Sequence, residues 1–423
     1  MTATLTKAAG PSAGKAPTPR RRLSLPVLLL CIAAALALFS AVRLVTGADD
    51  ITSVGQVRSA LELAIPIGLA GLGGLWAERA GVINIGLEGM LILGTWFGAW
   101  AGYQWGPWSG VAMGILGGAI GGLVHAVVTV SFGVNHIVSG VAINILAAGS
   151  TKYLSNLTFE EAPGGGSATQ SPPIGQIERF TVPGLSDAMK ALNEKHWFFV
   201  SDLAGFVGGV VTDISVLTVV ALLLVPASYW ILWRTPFGLR LRSCGENPTA
   251  AESLGVNVYK YKYVAVVVSG ALAGLGGVFL AEVASSYYRE GQTGGRGYIG
   301  LAAMIFGNWR PGGLALGAGL FGYTDSLNLR SGGTSVHALL LLLAVLLVLA
   351  AAWQLYRRKF VSAAVALVVA AGLAFWYAST DEVPTYFVTM APYVTTLLVL
   401  ALSAQRLRPP RAVGDPYRRG TGK

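Results

Sequence analysis

Charge is scarce. Of 423 residues only 12% are Asp, Glu, Lys or Arg, against roughly 25% in a soluble domain. A water-soluble globule is therefore excluded. Cysteine is nearly absent: Cys31 falls in the first apolar run and Cys244 in a basic loop, so no disulfide or metal framework follows. "LLLC" at 28–31 has bulky leucines where a lipoprotein cleavage site needs small residues, and the run from Pro26 to Val45 outlasts a signal peptide's core, so it is expected to be a retained anchor. The four histidines, His125, His136, His196 and His337, are scattered without metal-ligand spacing, and no Ser-His-Asp order is legible. A phosphate loop is missing too. The nearest match, "GPSAGKAP" at 10–17, is one residue short and lacks Ser or Thr after its Lys. No catalytic residue, metal site or cofactor is expected.

What is abundant is apolar surface: 53% of residues are hydrophobic, and the mean hydropathy is +0.60. Runs of about twenty apolar residues, enough for a helix to cross about 30 Å of hydrocarbon, recur at 25–45, 57–77, 82–104, 109–132, 136–154, 213–233, 262–282, 336–356, 360–378 and 387–404. The 56 glycines suit helices that pack closely in lipid. The fold class expected is an all-α polytopic membrane protein with about 10–12 transmembrane helices. The net charge of +10 lies in "RRR" at 20–22, "RRK" at 357–359 and the tail from Arg406. Each abuts an apolar run, as cytoplasmic loops do, which argues against nucleic acid as a partner.

Residues 1–24 read as a disordered cytoplasmic tail, 25–405 as the transmembrane domain, and 406–423 as a second cytoplasmic tail. With the N-terminus inside, alternation puts loop 155–212 outside and the basic loop 234–261 inside. The long outer loop is expected to dock a partner in part. Between 298 and 329 the apolar run is cut at Gly307–Gly313, and Pro311 cannot continue a helix. A broken or re-entrant helix pair is expected there. In "TPFGLRLRSCGENPTAAESLGVNV" (235–258), Asn247 is a capping amide, Pro248 suits a first helical position and Gly255 a stop. A helix this short buries too little to stand alone, so it wants a cleft on another protein.

These stretches resemble permeases of ATP-binding-cassette importers of the nucleoside and simple-sugar type. The resemblance rests on five colinear blocks: "ERAGVINIGLEGMLILG", the loop at 235–258 with "YKYVAVVVSGALAGLGGVFL", "GYIGLAAMIFGNWRPGG", "MAPYVTTLLVLAL" and "PPRAVGDPYRRG". It implies that Glu246, Asn247, Pro248, Ala250, Ala251, Glu252 and Gly255 couple to an ATP-binding subunit, which hydrolyses ATP. The "NIGLEG" form resembles one member of a permease pair, implying a second homologous permease, a lipid-anchored binding protein outside, and a plasma-membrane location. One departure stands out. The apolar hairpin 336–378 separates two blocks that the family normally keeps close; it preserves parity, and its role is unassigned.

Four polar residues sit oddly in "GGLWAERAGVINIGLEGMLILG" (73–94). Glu78 and Arg79 are expected to neutralise each other at an inner helix end. Asn84 and Glu88, four apart, would share a helix face, while Gly81, Gly86 and Gly89 permit a broken helix. Glu88 either lines the pathway or braces a neighbouring helix. Asn144 and Asn308 join Asn84 and Glu88 as pathway candidates. His136 is expected to cap a helix end rather than to sense protons. Trp96 and Trp100 are expected in an interfacial belt. The function expected is import of nucleosides, with simple sugars such as ribose or galactose as the alternative solutes; an ion-driven secondary transporter is the alternative of another class.

Overall fold

The computed structural model describes residues 25–330, 332–384, 386–388, 390 and 407–420. The expected tail 1–24 and nearly all of the span 387–404 lie outside the described residues. The order is α1 (Leu25–Thr46), α2 (Val54–Arg79), α3 (Leu87–Trp105), α4 (Pro107–Ala126), α5 (His136–Phe159), α6 (Leu185–Asn193), α7 (Val200–Val211), α8 (Val216–Arg234), α9 (Pro236–Glu246), α10 (Pro248–Ser253), α11 (Val258–Val278), α12 (Arg296–Phe306), α13 (Pro311–Arg330), α14 (Gly332–Tyr356) and α15 (Phe360–Ser379). Strands are confined, among the described residues, to the pair 179–180 and 214–215. Seven helices among the described residues are long and apolar enough to cross a membrane. The chain is an all-α polytopic membrane protein.

Helix starts follow local chemistry. Ser53, Asn135, Ser215, Thr235, Asn247 and Asn257 each accept a backbone N–H from the first turn of the helix they precede. Pro107, Pro236 and Pro248 fill first helical positions, where the missing donor costs nothing.

At the centre, α11 packs against α2, α3 and α4, and α2 against α12 and α13. Glycine makes the α3–α4–α11 contact possible. A Cβ on Gly94 would lie 2.3 Å from the Gly274 oxygen, and one on Gly118 2.3 Å from the Gly270 oxygen. Backbone meets backbone, the small-residue packing of lipid-embedded helices. Gly118→Val is therefore expected to splay α4 from α11 and lower the yield of folded protein, checked by size-exclusion profile and thermal midpoint in detergent.

The hairpin α14–α15 stands at the periphery, touching α1 and α13. Its two arms are joined where the His337 Nε2 reaches the Tyr377 oxygen at 3.0 Å. The segment 155–212 is less free than its composition suggests. Helix α7 packs on α2, and Asp202, 0% exposed, accepts from Arg43 Nε at 2.8 Å, Ser40 Oγ at 2.6 Å and Thr52 Oγ1 at 2.5 Å. One carboxylate thus pins the end of α1 and the start of α2 to the loop.

Candidate functional site: a broken membrane segment and a capped loop helix

Helix α2 stops at Arg79 and α3 starts at Leu87. The N–H groups of Ala80, Gly81 and Val82 close the last turn on Ala77 and Glu78, and the Gly86 oxygen takes the Met90 N–H, which leaves 83–85 outside either ladder. Gly81 turns the chain at φ +88°. Free peptide groups in a membrane must be satisfied by protein. The Ile83 N–H donates to His136 Nδ1 at 3.2 Å, and the Ile83 carbonyl lies 2.9 Å from His125 Nε2. That carbonyl needs a donor, so His125 carries its proton on Nε2 and takes the Ser139 hydroxyl on Nδ1, at 2.9 Å. Asn144 donates to the Ile85 oxygen at 3.0 Å and accepts from the Gly89 N–H at 2.7 Å. Two histidines and one amide thereby replace a helical ladder. His136 is the first residue of α5, but the cap expected of it is made by Asn135, whose Oδ1 accepts from the Ile137 and Val138 N–H groups.

Asn84 and Glu88 do not share a helix face, because Asn84 precedes the start of α3. Asn84 is buried; its amide donates to Ser269 Oγ at 2.9 Å, while its Oδ1 has no partner among the described residues. Glu88 is buried in the first turn of α3 and points at another helix end. It accepts from Thr293 Oγ1 at 2.7 Å, Gly295 N at 2.9 Å and Gly297 N at 2.7 Å. Those donors form the N-terminus of α12, which has 11 residues and so spans about 16 Å, half a hydrocarbon core. Glu88 braces a half-helix.

The break at 307–313 takes a different form from an interrupted single helix. Pro311 is the first residue of α13, and α12 and α13 run back as a hairpin, with Ala303 facing Gly317. Asn308, with φ +55°, lies in the turn and accepts from the Arg408 N–H at 2.9 Å, so it faces the C-terminal segment rather than the half-helix end. Glu78 and Arg79 point at the turn instead of pairing with each other. Trp309 Nε1 donates to Glu78 at 2.5 Å, and Arg79 donates to the Trp309 oxygen at 2.7 Å. Both hold this turn. Trp96 and Trp100 leave the interfacial belt expected of them: Trp96 is 3% exposed, stacks on Trp100 at 6.1 Å and donates to Ser155 Oγ at 3.1 Å.

In the basic loop, Asn247 Oδ1 accepts from the Ala250 N–H at 3.0 Å, Pro248 opens α10 and Gly255 has φ +81°. The helix presents two different alanines. Ala251 is buried against Cys244 and Val258, whereas Ala250 is exposed and Leu254, at the C-cap, is 85% exposed. Ala251 is therefore a packing position, and the outward face belongs to Ala250 and Leu254. Glu246, exposed, lies 4.0 Å from Arg79; Glu252 pairs with Arg419 at 3.1 Å. Burial pushes the Cys244 thiol up to about 11, so at neutral pH it is an inert filler.

Glu282 was not singled out by sequence. It sits in a π-helical turn, Phe279–Ala284, that extends α11, buried against Gly102 and Gly110, and neither oxygen has a partner among the described residues. An acid inside the apolar "GGVFLAEVA" was the available signal.

Residues 57–352 match the family described as "Branched-chain amino acid transport system / permease component". The guanosine ABC transporter permease protein NupQ of Bacillus subtilis is 34% identical over 373 residues, 86% of this chain and 96% of that protein. The nucleoside ABC transporter permease protein NupC of Lactococcus lactis is 33% identical over 373 residues, covering 85% and 96%. A putative glucose ABC transporter permease protein of Haloferax volcanii is 34% identical over 293 residues, covering 67% and 80%. No solved structure matches. This chain belongs to the branched-chain amino acid transport system permease family, as a multi-pass ABC transporter permease subunit rather than an enzyme.

Proposed function

We propose that the chain forms part of the inward path for nucleosides in an ATP-driven importer, and that ATP is hydrolysed on a separate subunit seated on α10. The supporting observation is that similarity to the guanosine and nucleoside permeases runs nearly the full length of both chains, including the blocks at 78–94 and 235–258. The basic loop then lies in the cytoplasm, as do both termini. A homologous second permease and a lipid-anchored binding protein outside complete the assembly. Helix α5 carries exposed Ile137, Val141, Ile145 and Leu146, a face suited to lipid and to the sister subunit.

The solute passes beside the break at 80–86, where the buried Asn84 Oδ1, without a partner among the described residues, becomes an acceptor for a base or ribose once the break opens. Asn144 and Glu88 position that break and the half-helix. The N-terminus of α12, which would otherwise attract an anion, is already occupied by Glu88. That suits an uncharged nucleoside. The glucose permease relative favours simple sugars as the second possibility. Uptake of labelled guanosine measured against labelled glucose and ribose separates the two; sugar uptake without guanosine uptake would overturn the nucleoside assignment.

Coupling has its own test. Leu254→Asp leaves the chain's own packing untouched, since Leu254 is exposed, yet it puts a charge on the outward face of α10. Association with the ATP-binding subunit is expected to weaken roughly 30-fold or more, the scale of an interface hot spot. Co-purification at a normal ratio with undiminished uptake would remove α10 from the coupling role.

A further inference from the structure

The block "PPRAVGDPYRRG" has no part in the solute path, yet the segment containing it, residues 407–420, touches each moving part proposed above. Its Ala412 N–H donates to the Gly245 oxygen of α9 at 2.9 Å, and its Gly414 N–H donates to the Gly81 oxygen of the break at 3.2 Å. The Arg408 N–H donates to Asn308 in the α12–α13 turn at 2.9 Å. Tyr417 lies 5.4 Å from Tyr259 and covers the cluster of Cys244, Ala251 and Val258, while Arg419 pairs with Glu252 of α10 at 3.1 Å. Helix α10 itself packs on α9 and α11. The C-terminal segment thus joins α10, the break and the hairpin turn, running beside the direct seat of α9 on Arg79 and Gly81.

Where the segment meets α9 and the break, the junction is backbone on backbone. A Cβ on Gly245 would lie 2.3 Å from the Arg79 oxygen, and one on Gly81 3.2 Å from the Ala412 oxygen. Gly81 and Gly414 turn at φ +88° and +85°, conformations that other residues adopt at a cost. Backbone seated on backbone has no rotamers to absorb a displacement, so a push at one element moves the next.

From this juxtaposition we infer that residues 407–420 are a transmission strap, fastening α10 to the 80–86 break and to the half-helix hairpin, with Gly414 and Tyr417 as positioning residues. The strap rests on the ATP-driven function proposed above. Its test uses the full complex with the ATP-binding subunit in proteoliposomes, comparing wild type, Tyr417→Ala, Tyr417→Phe, Gly414→Val and a chain ending at Leu407. For Tyr417→Ala and Gly414→Val, ATPase association and basal hydrolysis are expected to persist while nucleoside taken up per ATP falls roughly tenfold, a coupling loss in the usual range. Tyr417→Phe, which keeps the packing, is expected to restore the ratio. Hydrogen exchange at residues 80–86 should respond to nucleotide in the wild type and cease to respond in the two coupling variants. Should the shortened chain fail to assemble, the two point variants decide.

Unchanged uptake per ATP with unchanged nucleotide-dependent exchange in both point variants would overturn the strap. So would loss of ATPase association in them, which would make the segment a docking element. Either result leaves wild-type uptake intact, whereas failure of the functional proposal removes ATP-driven uptake from the wild type itself.

Discussion

Glu88→Ala is expected to abolish ATP-driven uptake and to destabilise the protein by about 3–5 kcal/mol. The carboxylate is the acceptor for Thr293 Oγ1, Gly295 N and Gly297 N. Truncation leaves three donors without their acceptor, Thr293 and Gly297 buried and Gly295 half-buried, and each unsatisfied buried group costs roughly 1–3 kcal/mol before relaxation. It also removes the negative charge that complements the end of α12. Glu88→Gln keeps an acceptor for Thr293 and Gly295 but presents either an amide or a crowded oxygen to Gly297. Its expected loss is smaller, about 1–2 kcal/mol. Thermal midpoint in detergent and uptake in vesicles, measured on the same preparations, check both substitutions. An alanine variant with wild-type midpoint and uptake would refute the bracing role.

The second large effect is expected at Asp202, far from the break. Asp202→Ala leaves Arg43, only 2% exposed, without its 2.8 Å partner, and frees the hydroxyls of Ser40 and Thr52 as well. Breaking a buried pair from one side typically costs about 3–5 kcal/mol, because the remaining charge stays desolvated. The remaining partners of Arg43 are the half-exposed Asp49 at 3.0 Å and the His196 and Trp197 oxygens at 3.1 and 3.3 Å, and they recover only part of that. Loss of folded protein is expected, together with faster proteolysis of the segment around α6 and α7. Replacing both Arg43 and Asp202 by apolar residues should cost less than Asp202→Ala alone. A double variant as damaged as the sum of the two single ones would contradict this pairing.

The sequence revealed what short-range chemistry controls. Asn247, Pro248 and Gly255 carry a cap, a helix start and a stop within nine positions, and α10 appears between them. The break near Gly81 and Gly86 and the cut before Pro311 were legible for the same reason. Direction of burial was not. Helix α10 is too short for a periodic apolar face, so Ala250 and Ala251 look equivalent until Cys244 and Val258 are packed beneath one of them. In a membrane, moreover, the lipid-facing and buried sides of a helix are both apolar. Trp96 accordingly resembles a belt residue although it donates to Ser155 across α5. Partners distant in the chain stay hidden altogether. Nothing near Glu88 announces Gly295 and Gly297, nothing near Arg43 announces Asp202, and the half-length of α12 emerges only once its N-terminus is seen against α3.

The most direct test of nucleoside import powered by a partner is reconstitution. Vesicles containing this chain with its sister permease are loaded with ATP, with and without the ATP-binding subunit, and labelled guanosine is delivered outside with the binding protein. Accumulation above the external concentration is expected only when the ATP-binding subunit and hydrolysable ATP are both present. Accumulation by the permeases alone, driven by an ion gradient, would contradict it.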